Sequence, residues 1–146
     1  MNLKPIQPVQ KPLPLSIDVA SGQFLLSSEP ARILIVEDSP RIAALMVKGL
    51  QRYGFVCEVV TDGGTALDKV LVDSFDLMLL DLGLPVKDGR SVLYEVRLRG
   101  LQLPIIVVTA HSLDPREDEI VYTYANEVVN KPFTMNNLIQ KVRSLL

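Results

Sequence analysis

The segment from Asp76 to Gly89 constrains the fold of this chain more than any other. It reads Asp-Leu-Met-Leu-Leu-Asp-Leu-Gly-Leu-Pro-Val-Lys-Asp-Gly, an apolar run that ends in a carboxylate and continues into a loop with proline and glycine. The run from Leu77 to Leu80 does not alternate, which is typical of a central parallel strand buried on both faces. Asp81 would then lie at the carboxyl end of that strand, where open α/β sheets bind their ligands. An aspartate there can accept a phosphoryl group, hold a metal ion, or do both.

The composition is that of a globular domain with a sizeable core. The chain has 146 residues, of which 48% are hydrophobic, enough for one domain. No apolar run approaches the roughly 18 residues of a membrane span. The start of the chain has no apolar stretch typical of a signal peptide. These features predict a protein that does not enter a membrane.

Charge and cysteine content narrow the class further. The net charge of −2 gives no electrostatic argument for binding nucleic acid or an anionic membrane. The single cysteine, Cys57, excludes an internal disulfide and suits a reducing cytoplasm, which is the predicted location. We interpret it as a small buried apolar residue. The sequence has no cluster of histidine and cysteine, so a zinc site is not expected.

The N-terminal thirty residues differ in composition from the rest. They contain five of the ten prolines, Pro5, Pro8, Pro12, Pro14 and Pro30. We interpret residues 1–30 as a proline-rich arm or linker, mostly extended or poorly ordered. Its apolar segment Phe24-Leu25-Leu26 could pack on the domain or form a short turn. A single domain is predicted over residues 31–146.

Beyond the arm, strand and helix signals alternate five times. The predicted strands are 33–36, 56–60, 76–80, 105–109 and 127–130, and the predicted helices are 40–52, 65–73, 89–99, 114–124 and 134 to the C-terminus. The helix starts are marked by Ser39-Pro40, by Asp114-Pro115 and by Thr134, and Gly100 marks the end of the third helix. The first helix is expected to bury Ile42, Leu45, Met46 and Leu50.

This (βα)₅ rhythm predicts an α/β fold with a doubly wound parallel sheet. Right-handed crossovers put helices on both faces of the sheet, and all strand-to-helix loops meet at one edge. Five polar side chains end apolar strands at that edge: Glu37, Asp38, Asp81, Thr109 and Lys131.

Together these groups indicate phosphoryl chemistry. The three acids predict a pocket for Mg²⁺, which prefers oxygen ligands and would offset their repulsion. Asp81 is the predicted nucleophile, with Lys131 and Thr109 binding the phosphoryl oxygens. Each residue alone has a structural alternative: a strand-end aspartate can cap the next helix, a lysine can lie on the surface, and threonine is common in strands.

The motifs around these residues resemble the receiver domain of bacterial two-component response regulators. The resemblance covers Ala31 to Leu146 and is carried by Ile-Leu-Ile-Val-Glu-Asp-Ser-Pro, Leu-Leu-Asp-Leu-Gly-Leu-Pro-x-x-Asp-Gly, Val-Val-Thr-Ala and Asn-Lys-Pro-Phe. It implies a flavodoxin-like fold with strand order 2-1-3-4-5. It also implies that Asp81 takes a phosphoryl group from the phosphohistidine of a sensor histidine kinase or of a phosphotransfer protein in a phosphorelay.

The same resemblance implies the details of the site. Asp38 and Asp81 would ligate Mg²⁺ directly together with the Gly83 carbonyl, while Glu37 would act largely through water. Thr109 and Lys131 would bind the phosphate. The peptide bond between Lys131 and Pro132 would be cis, aiming the lysine inward.

Three positions concern regulation, and one of them departs from the family pattern. The position that often holds an aromatic switch residue is Val128, so the usual coupling of threonine to an aromatic ring cannot operate in that form. Either the output is muted or another aromatic serves, with Tyr122 and Tyr124 as candidates. Gly83 and His111 occupy the positions that tune hydrolysis of the acyl phosphate in the family. The alternative for His111 is an exposed loop residue.

The predicted function is a phosphorylation-dependent signalling receiver, not an enzyme with a separate substrate. Phosphorylation would switch the face made by the fourth helix, fifth strand and fifth helix, and this face would bind an output partner. A weak homodimer is a further possibility. The Arg97-x-Arg99 pair is interpreted as a solvated helix end, not a nucleic-acid site. One rival is a haloacid-dehalogenase-type phosphatase, disfavoured because Gly83 replaces its second aspartate. The other is a phosphorylation-independent interaction module on the same fold.

Overall fold

The N-terminal part of the computed structural model contains a pair of short strands. The structure describes residues 15–18, 23–26 and 29–146. Strand β1 (Leu15–Asp18) pairs antiparallel with β2 (Gln23–Leu26), with Leu15 opposite Leu26. The apolar segment 24–26 is therefore part of a strand. The rest of the predicted arm, apart from residues 29 and 30, lies outside the described residues.

A five-stranded parallel sheet with five helices is formed by residues 32–145. Its elements are β3 (Arg32–Val36), α1 (Pro40–Gln51), β4 (Val56–Val60), α2 (Gly63–Val72), β5 (Leu77–Leu80), α3 (Gly89–Leu98), β6 (Ile105–Thr109), α4 (Glu119–Tyr124), β7 (Glu127–Asn130) and α5 (Met135–Leu145). The strands lie in the order β4-β3-β5-β6-β7. Counted within this sheet alone, that order is 2-1-3-4-5, so the predicted topology is confirmed.

The central strands are buried on both faces, as their unbroken apolar runs indicate. Successive residues of β5 point to opposite sides, so Leu77 and Leu79 pack with α1 and α5, while Met78 and Leu80 pack with α2, α3 and α4. All four are at most 1% exposed. Two apolar layers therefore hold the sheet, and each buried leucine contributes about 1.5–3 kcal/mol relative to an exposed one. Among the described residues, no helix is long and apolar enough to span a bilayer.

The predicted helix ends are largely confirmed. The Ser39 hydroxyl accepts a hydrogen bond from the Ile42 N–H at the start of α1, and Thr134 caps α5 in the same way. Gly100 follows α3 with φ +77°, a conformation that glycine adopts without strain. The prediction that Leu45 lies on the buried face of α1 was wrong, since this side chain is 51% exposed. The helix packs on the sheet through a narrower stripe that includes Ala43 and Met46.

The start of the fourth helix differs from the prediction. Asp114-Pro115 opens a single turn, in which Asp118 N–H donates to Asp114 O at 2.8 Å, and α4 itself begins only at Glu119. Asp118 has φ −108° and ψ 40°, which interrupts the helix. Its carboxylate is bound by Arg90 of α3, a contact that local sequence signals do not contain.

The interpretation of Arg97 as a solvated helix end was also wrong. Its guanidinium donates to the carbonyl oxygens of Leu101 and Leu103 at 2.8 and 2.7 Å, and to that of Tyr124 at 3.0 Å. A fourth bond goes to Oδ1 of Asn126, and burial lowers the pKa of Arg97. Arg97 thus joins the end of α3 to the loop before β6 and to the end of α4, because its five donors can satisfy several carbonyls at once. Arg99 is exposed, as expected.

Candidate functional site

Two neighbouring strands bring the acids to one edge of the sheet. Strands β3 and β5 are parallel partners, with Val36 opposite Leu80. Glu37 and Asp81 follow these two residues directly, and the Asp81 N–H donates to the Val36 carbonyl at 3.0 Å. The parallel register therefore aligns both carboxylates at the carboxyl edge, as predicted from the apolar runs that precede them.

Three carboxylates share a pocket at this edge. Ligand atoms of Glu37, Asp38 and Asp81 lie within 4.8 Å of one another. Glu37 is 1% exposed and Asp81 is 8% exposed, whereas Asp38 faces solvent. Burial raises the pKa of Glu37, and the charge of Asp81 adds to this effect, although Lys131 opposes it. The pocket therefore concentrates negative charge in a place where water solvates it poorly.

Lys131 enters the pocket from the end of β7. Its Nζ donates to Oε2 of Glu37 at 2.8 Å and lies 3.5 Å from Oδ2 of Asp81. The Lys131 N–H donates to the Thr109 carbonyl at 2.8 Å, which anchors the lysine backbone to β6. The peptide bond between Lys131 and Pro132 is cis. One lysine thus contacts two of the three acids.

Thr109 is the last residue of β6 and is completely buried. Its Oγ1 accepts a hydrogen bond from the backbone N–H of His111 at 3.1 Å. The hydroxyl hydrogen is not used in that bond, so the group keeps a donor for another acceptor. The side chain of His111 is exposed, in agreement with the simpler alternative for that residue.

The loop between Asp81 and α3 is tightly folded at one end and open at the other. The Gly89 N–H donates to the Leu82 carbonyl at 2.9 Å, and a Cβ on Gly89 would collide with the backbone of Asp81 and Leu82. Gly83, in contrast, is exposed, and a Cβ there would meet no atom within 4 Å. Its N–H donates to Oδ1 of Asp81 at 3.3 Å. The loop is therefore closely packed at Gly89 and open to solvent at Gly83.

A groove of about 410 Å³ lies beside Val128, between β7 and the loop that follows β6. Its lining is Ala110, His111, Ser112, Leu113, Tyr122, Val128 and Asn130. Tyr122 is half exposed, and its hydroxyl donates to the Leu113 carbonyl at 3.4 Å. Tyr124 instead packs edge-to-face on Tyr94, with ring centroids 6.0 Å apart. Of the two tyrosines, only Tyr122 borders the groove beside Val128.

Comparison with protein families identifies the chain. The sequence profile of the response regulator receiver domain matches residues 33–143. The chain belongs to this family. The receiver domain accounts for every element from β3 to α5 and contains the complete acid cluster with Thr109 and Lys131. The match begins at residue 33, after the β1–β2 pair.

Curated relatives support the same assignment. The transcriptional activator protein IrlR of Burkholderia pseudomallei is 38% identical over 117 residues, which cover 79% of this chain and 50% of that protein. The response regulator protein PmrA of Pseudomonas aeruginosa is 35% identical over 116 residues, with 78% and 52% covered. The receiver chain thus spans about half the length of the curated relatives it matches.

Solved receiver structures match nearly over their full length. The response regulator TrrA of Thermotoga maritima, in complex with Mg²⁺ and BeF, has a TM-score of 0.72 and 35% identity, with 80% of this chain and 99% of that chain covered. The receiver domain of the sensor histidine kinase PA1611 of Pseudomonas aeruginosa has a TM-score of 0.73 and 30% identity, with 80% and 97% covered. The PA1611 domain holds a magnesium ion in its active site cleft.

Sequence reasoning missed the ion pair between Arg90 and Asp118, which lies close to this site. Asp118 is 8% exposed, and Arg90 follows Gly89 at the start of α3. The sequence contains one indication that Asp118 is buried. In the predicted helix 114–124, Asp118 lies three residues before Val121 and therefore on the same inward-facing side. A charged residue on that face requires a partner, but the sequence does not identify which one.

Proposed function

We propose that Asp81 is the phosphoryl acceptor of this receiver and that Mg²⁺ is its cofactor. The observation that supports this most directly is the shared pocket, in which Glu37, Asp38 and Asp81 place ligand atoms within 4.8 Å and Lys131 reaches both buried acids. A purely structural role would not require three acids there, since burying charge without full compensation costs stability.

The donor set fits Mg²⁺. It consists of carboxylate oxygens, which hard divalent cations prefer, and the proposed fourth ligand is the backbone carbonyl of Gly83. The pocket contains three acids against one lysine, and the raised pKa of Glu37 shows that this lysine does not fully offset the effects of burial and of Asp81. A bound Mg²⁺ would neutralise charge that develops on a transferred phosphoryl group. Asp38 and Asp81 are the proposed direct ligands, and Glu37 is proposed to act mainly through water.

In the proposed reaction, a carboxylate oxygen of Asp81 attacks the phosphorus of a phosphohistidine. The O–P bond forms as the N–P bond breaks, and the imidazole of the donor leaves with the electron pair. Lys131 would then exchange its contact with Glu37 for the phosphoryl oxygens. Thr109 would donate its free hydroxyl hydrogen to the same group. The donor would be a sensor histidine kinase or a phosphotransfer protein.

The phosphorylated state is proposed to be short-lived. Gly83 has no side chain and borders open space, and the side chain of His111, two residues after Thr109, is exposed. Neither residue shields the acyl phosphate from water, although His111 could order a water molecule for attack. The protein would therefore promote its own phosphorylation and dephosphorylation, acting as a signalling phosphoacceptor.

The proposed output surface is the face formed by α4, β7 and α5, which would bind a downstream protein or form a weak homodimer. We place this function in the cytoplasm, with residues 1–30 as a linker arm.

The rival of a phosphorylation-independent interaction module draws support from Val128, but the complete set of site residues opposes it. Comparing partner binding with and without Mg²⁺ and beryllofluoride separates the two, because the rival requires equal binding.

Labelling by acetyl phosphate tests the acceptor. The Asp81→Asn variant should take up no label in the presence of Mg²⁺, whereas Asp68→Asn, which changes an exposed acid of α2, should be labelled like the parent. Undiminished labelling of Asp81→Asn would refute the assignment.

In a spectroscopic titration, Asp38→Ala should weaken Mg²⁺ binding at least about tenfold, a loss of about 1.4 kcal/mol, with Asp68→Ala again as the control.

A further inference from the structure

One residue divides the fourth helical segment into two parts. On one side, the Asp114 carbonyl accepts hydrogen bonds from the N–H groups of Glu117 at 3.1 Å and of Asp118 at 2.8 Å. On the other side, the Asp118 carbonyl accepts from Val121 at 3.0 Å and from Tyr122 at 3.2 Å. Both parts are helical turns. The interruption is at Asp118, whose φ of −108° and ψ of 40° lie outside the helical region.

The sequence favours a longer helix than the one observed. Asp114 and Pro115 are the preferred residues for the cap and first position of a helix, and they come five and four residues before Glu119, where α4 begins. In an unbroken helix the carbonyls of residues 115, 116 and 117 would accept from the N–H groups of residues 119, 120 and 121. Val121 instead donates to Asp118. The break therefore costs helical hydrogen bonds that another contact must offset.

That contact is the ion pair with Arg90. Oδ1 of Asp118 accepts from Nε of Arg90 at 2.9 Å and from Nη2 at 2.5 Å, and its Oδ2 accepts from the Asp114 N–H at 3.1 Å. Because all these bonds use the carboxylate, it does not cap α4. Asp118 is 8% exposed, and charge-assisted bonds of this kind are about twice as strong as neutral ones. Arg90 also holds the pKa of Asp118 below its usual value, which keeps the carboxylate charged.

The pair joins the two loops that flank the proposed phosphorylation site. Arg90 is next to Gly89, which packs on the backbone of Asp81. Asp118 ends the loop that begins after Thr109 and includes His111. A change in either loop would therefore act on the pair directly.

We propose that the Arg90–Asp118 pair sets the length of α4, and that its release lets the helix extend back to Pro115. This first part is independent of the proposed function. The second part rests on it: phosphorylation of Asp81 adds charge beside the start of α3 and draws Thr109 inward, which separates Arg90 from Asp118. The receiver would then change its output face by extending α4. This route would not need the aromatic switch residue that Val128 replaces.

Nuclear magnetic resonance of Arg90→Ala tests the first part without any phosphate. The Cα chemical shifts of residues 115–119 should move to helical values. Exchange of the Glu119 and Ile120 amide hydrogens should slow by about tenfold or more, as for amides that gain a stable helical bond. The matched control is Lys87→Ala, which removes the 2.6 Å pair between Lys87 and Glu95 of α3 and should change neither observable.

Asp118→Ala provides a second test should Arg90→Ala fail to fold. It removes the same pair and introduces the residue with the highest helix propensity, so the same residues should become helical. Unchanged shifts and exchange in a folded variant of either kind would overturn the proposal, because the break would then not depend on the pair.

Beryllofluoride with Mg²⁺ tests the second part on the unmodified chain. The shifts of residues 115–121 should move in the direction seen in Arg90→Ala. If they stay unchanged while acetyl phosphate labels Asp81, the proposed function stands and the coupling through Arg90 and Asp118 is refuted. If Asp81 is not labelled, the proposed function fails, and the helix-length result from Arg90→Ala is unaffected.

Discussion

Lys131 forms its shorter ion pair with Glu37, 94 residues earlier in the chain, and not with Asp81. Its Nζ lies 2.8 Å from Oε2 of Glu37 and 3.5 Å from Oδ2 of Asp81. The lysine therefore compensates the most deeply buried acid of the pocket. This arrangement makes the stability of the protein depend on the same cation that is proposed to bind phosphate.

Replacing Lys131 by methionine should destabilise the protein in the absence of Mg²⁺. Two buried carboxylates would lose their cation, and we expect a loss of about 2–3 kcal/mol, below the full cost of breaking a buried pair because the lysine is partly exposed. Mg²⁺ should restore much of this loss. Urea unfolding with and without Mg²⁺ measures both effects.

Lys141→Met is the matched control for that experiment. Lys141 pairs with Glu127 at 3.2 Å, and both side chains are about one third exposed. Its removal should cost at most about 0.5 kcal/mol, with no response to Mg²⁺. Equal losses of unfolding free energy in the two variants would show that Lys131 stabilises the pocket no more than an exposed ion pair stabilises the surface.

Adding a methyl group at Gly89 should disturb both the fold and the site. The new Cβ would overlap the backbone of Asp81 and Leu82, so Gly89→Ala should lower the free energy of unfolding by roughly 2–3 kcal/mol and reduce labelling by acetyl phosphate. Gly83→Ala in the same loop meets open space and should stay within about 0.5 kcal/mol of the parent. Similar losses for both variants in urea unfolding would contradict the close approach seen at Gly89.

Val86 adopts a conformation that is unfavourable for a β-branched residue. Its φ is +67°, it is 91% exposed, and the turn around it is closed by the Lys87 N–H donating to the Pro85 carbonyl at 2.7 Å. Glycine avoids the steric cost of this conformation, so Val86→Gly should stabilise the protein by about 0.5–1 kcal/mol after the entropy of glycine is deducted.

The exposed Val72 at the end of α2 supplies the opposite case. It is 85% exposed and helical, so Val72→Gly should destabilise by about 0.5–1 kcal/mol. Unfolding in urea gives both values. The same sign for the two variants would mean that the Val86 backbone is not strained.

The pair of Arg32 and Asp73 should make stability fall in strong acid. Hydrogen bonds from Arg32 at 2.9 and 3.2 Å lower the pKa of Asp73 to about 2. Because the folded-state pKa lies below the value of the unfolded chain, the pair stabilises the fold above pH 4, roughly the unfolded pKa of aspartate. This stabilisation is lost as the pH falls towards 2.

Asp73→Asn should therefore flatten the dependence of unfolding free energy on pH between about 4 and 2, relative to the parent. Asp68→Asn, which changes an exposed acid within α2, serves as the control and should follow the parent curve. A mutant curve as steep as that of the parent would show that other acids account for the acid sensitivity.

Local signals in the chain predicted most of the architecture, for identifiable reasons. The unbroken apolar runs before Glu37, Asp81 and Thr109 determine strands buried on both faces, and parallel topology then brings their last residues to one edge. Caps such as Ser39 and Thr134 work within a single helical turn, so neighbouring residues suffice to predict them. The resemblance to receivers rested on these same positions.

Tertiary contacts decided what no local pattern contains. Asp114 and Pro115 signal a helix start, but a guanidinium 28 residues earlier binds the Asp118 carboxylate and breaks the helix there. Arg97 similarly turns inward because carbonyl groups from the loop between α3 and β6 and from the end of α4 meet at its position. The sequence by itself thus predicted the strands and, through the family resemblance, their order, and it indicated which side chains would meet at the edge of the sheet. Where α4 begins, and which acid holds Lys131, depend on groups distant in the chain, because hydrogen bonds and charges act through space and not along the sequence.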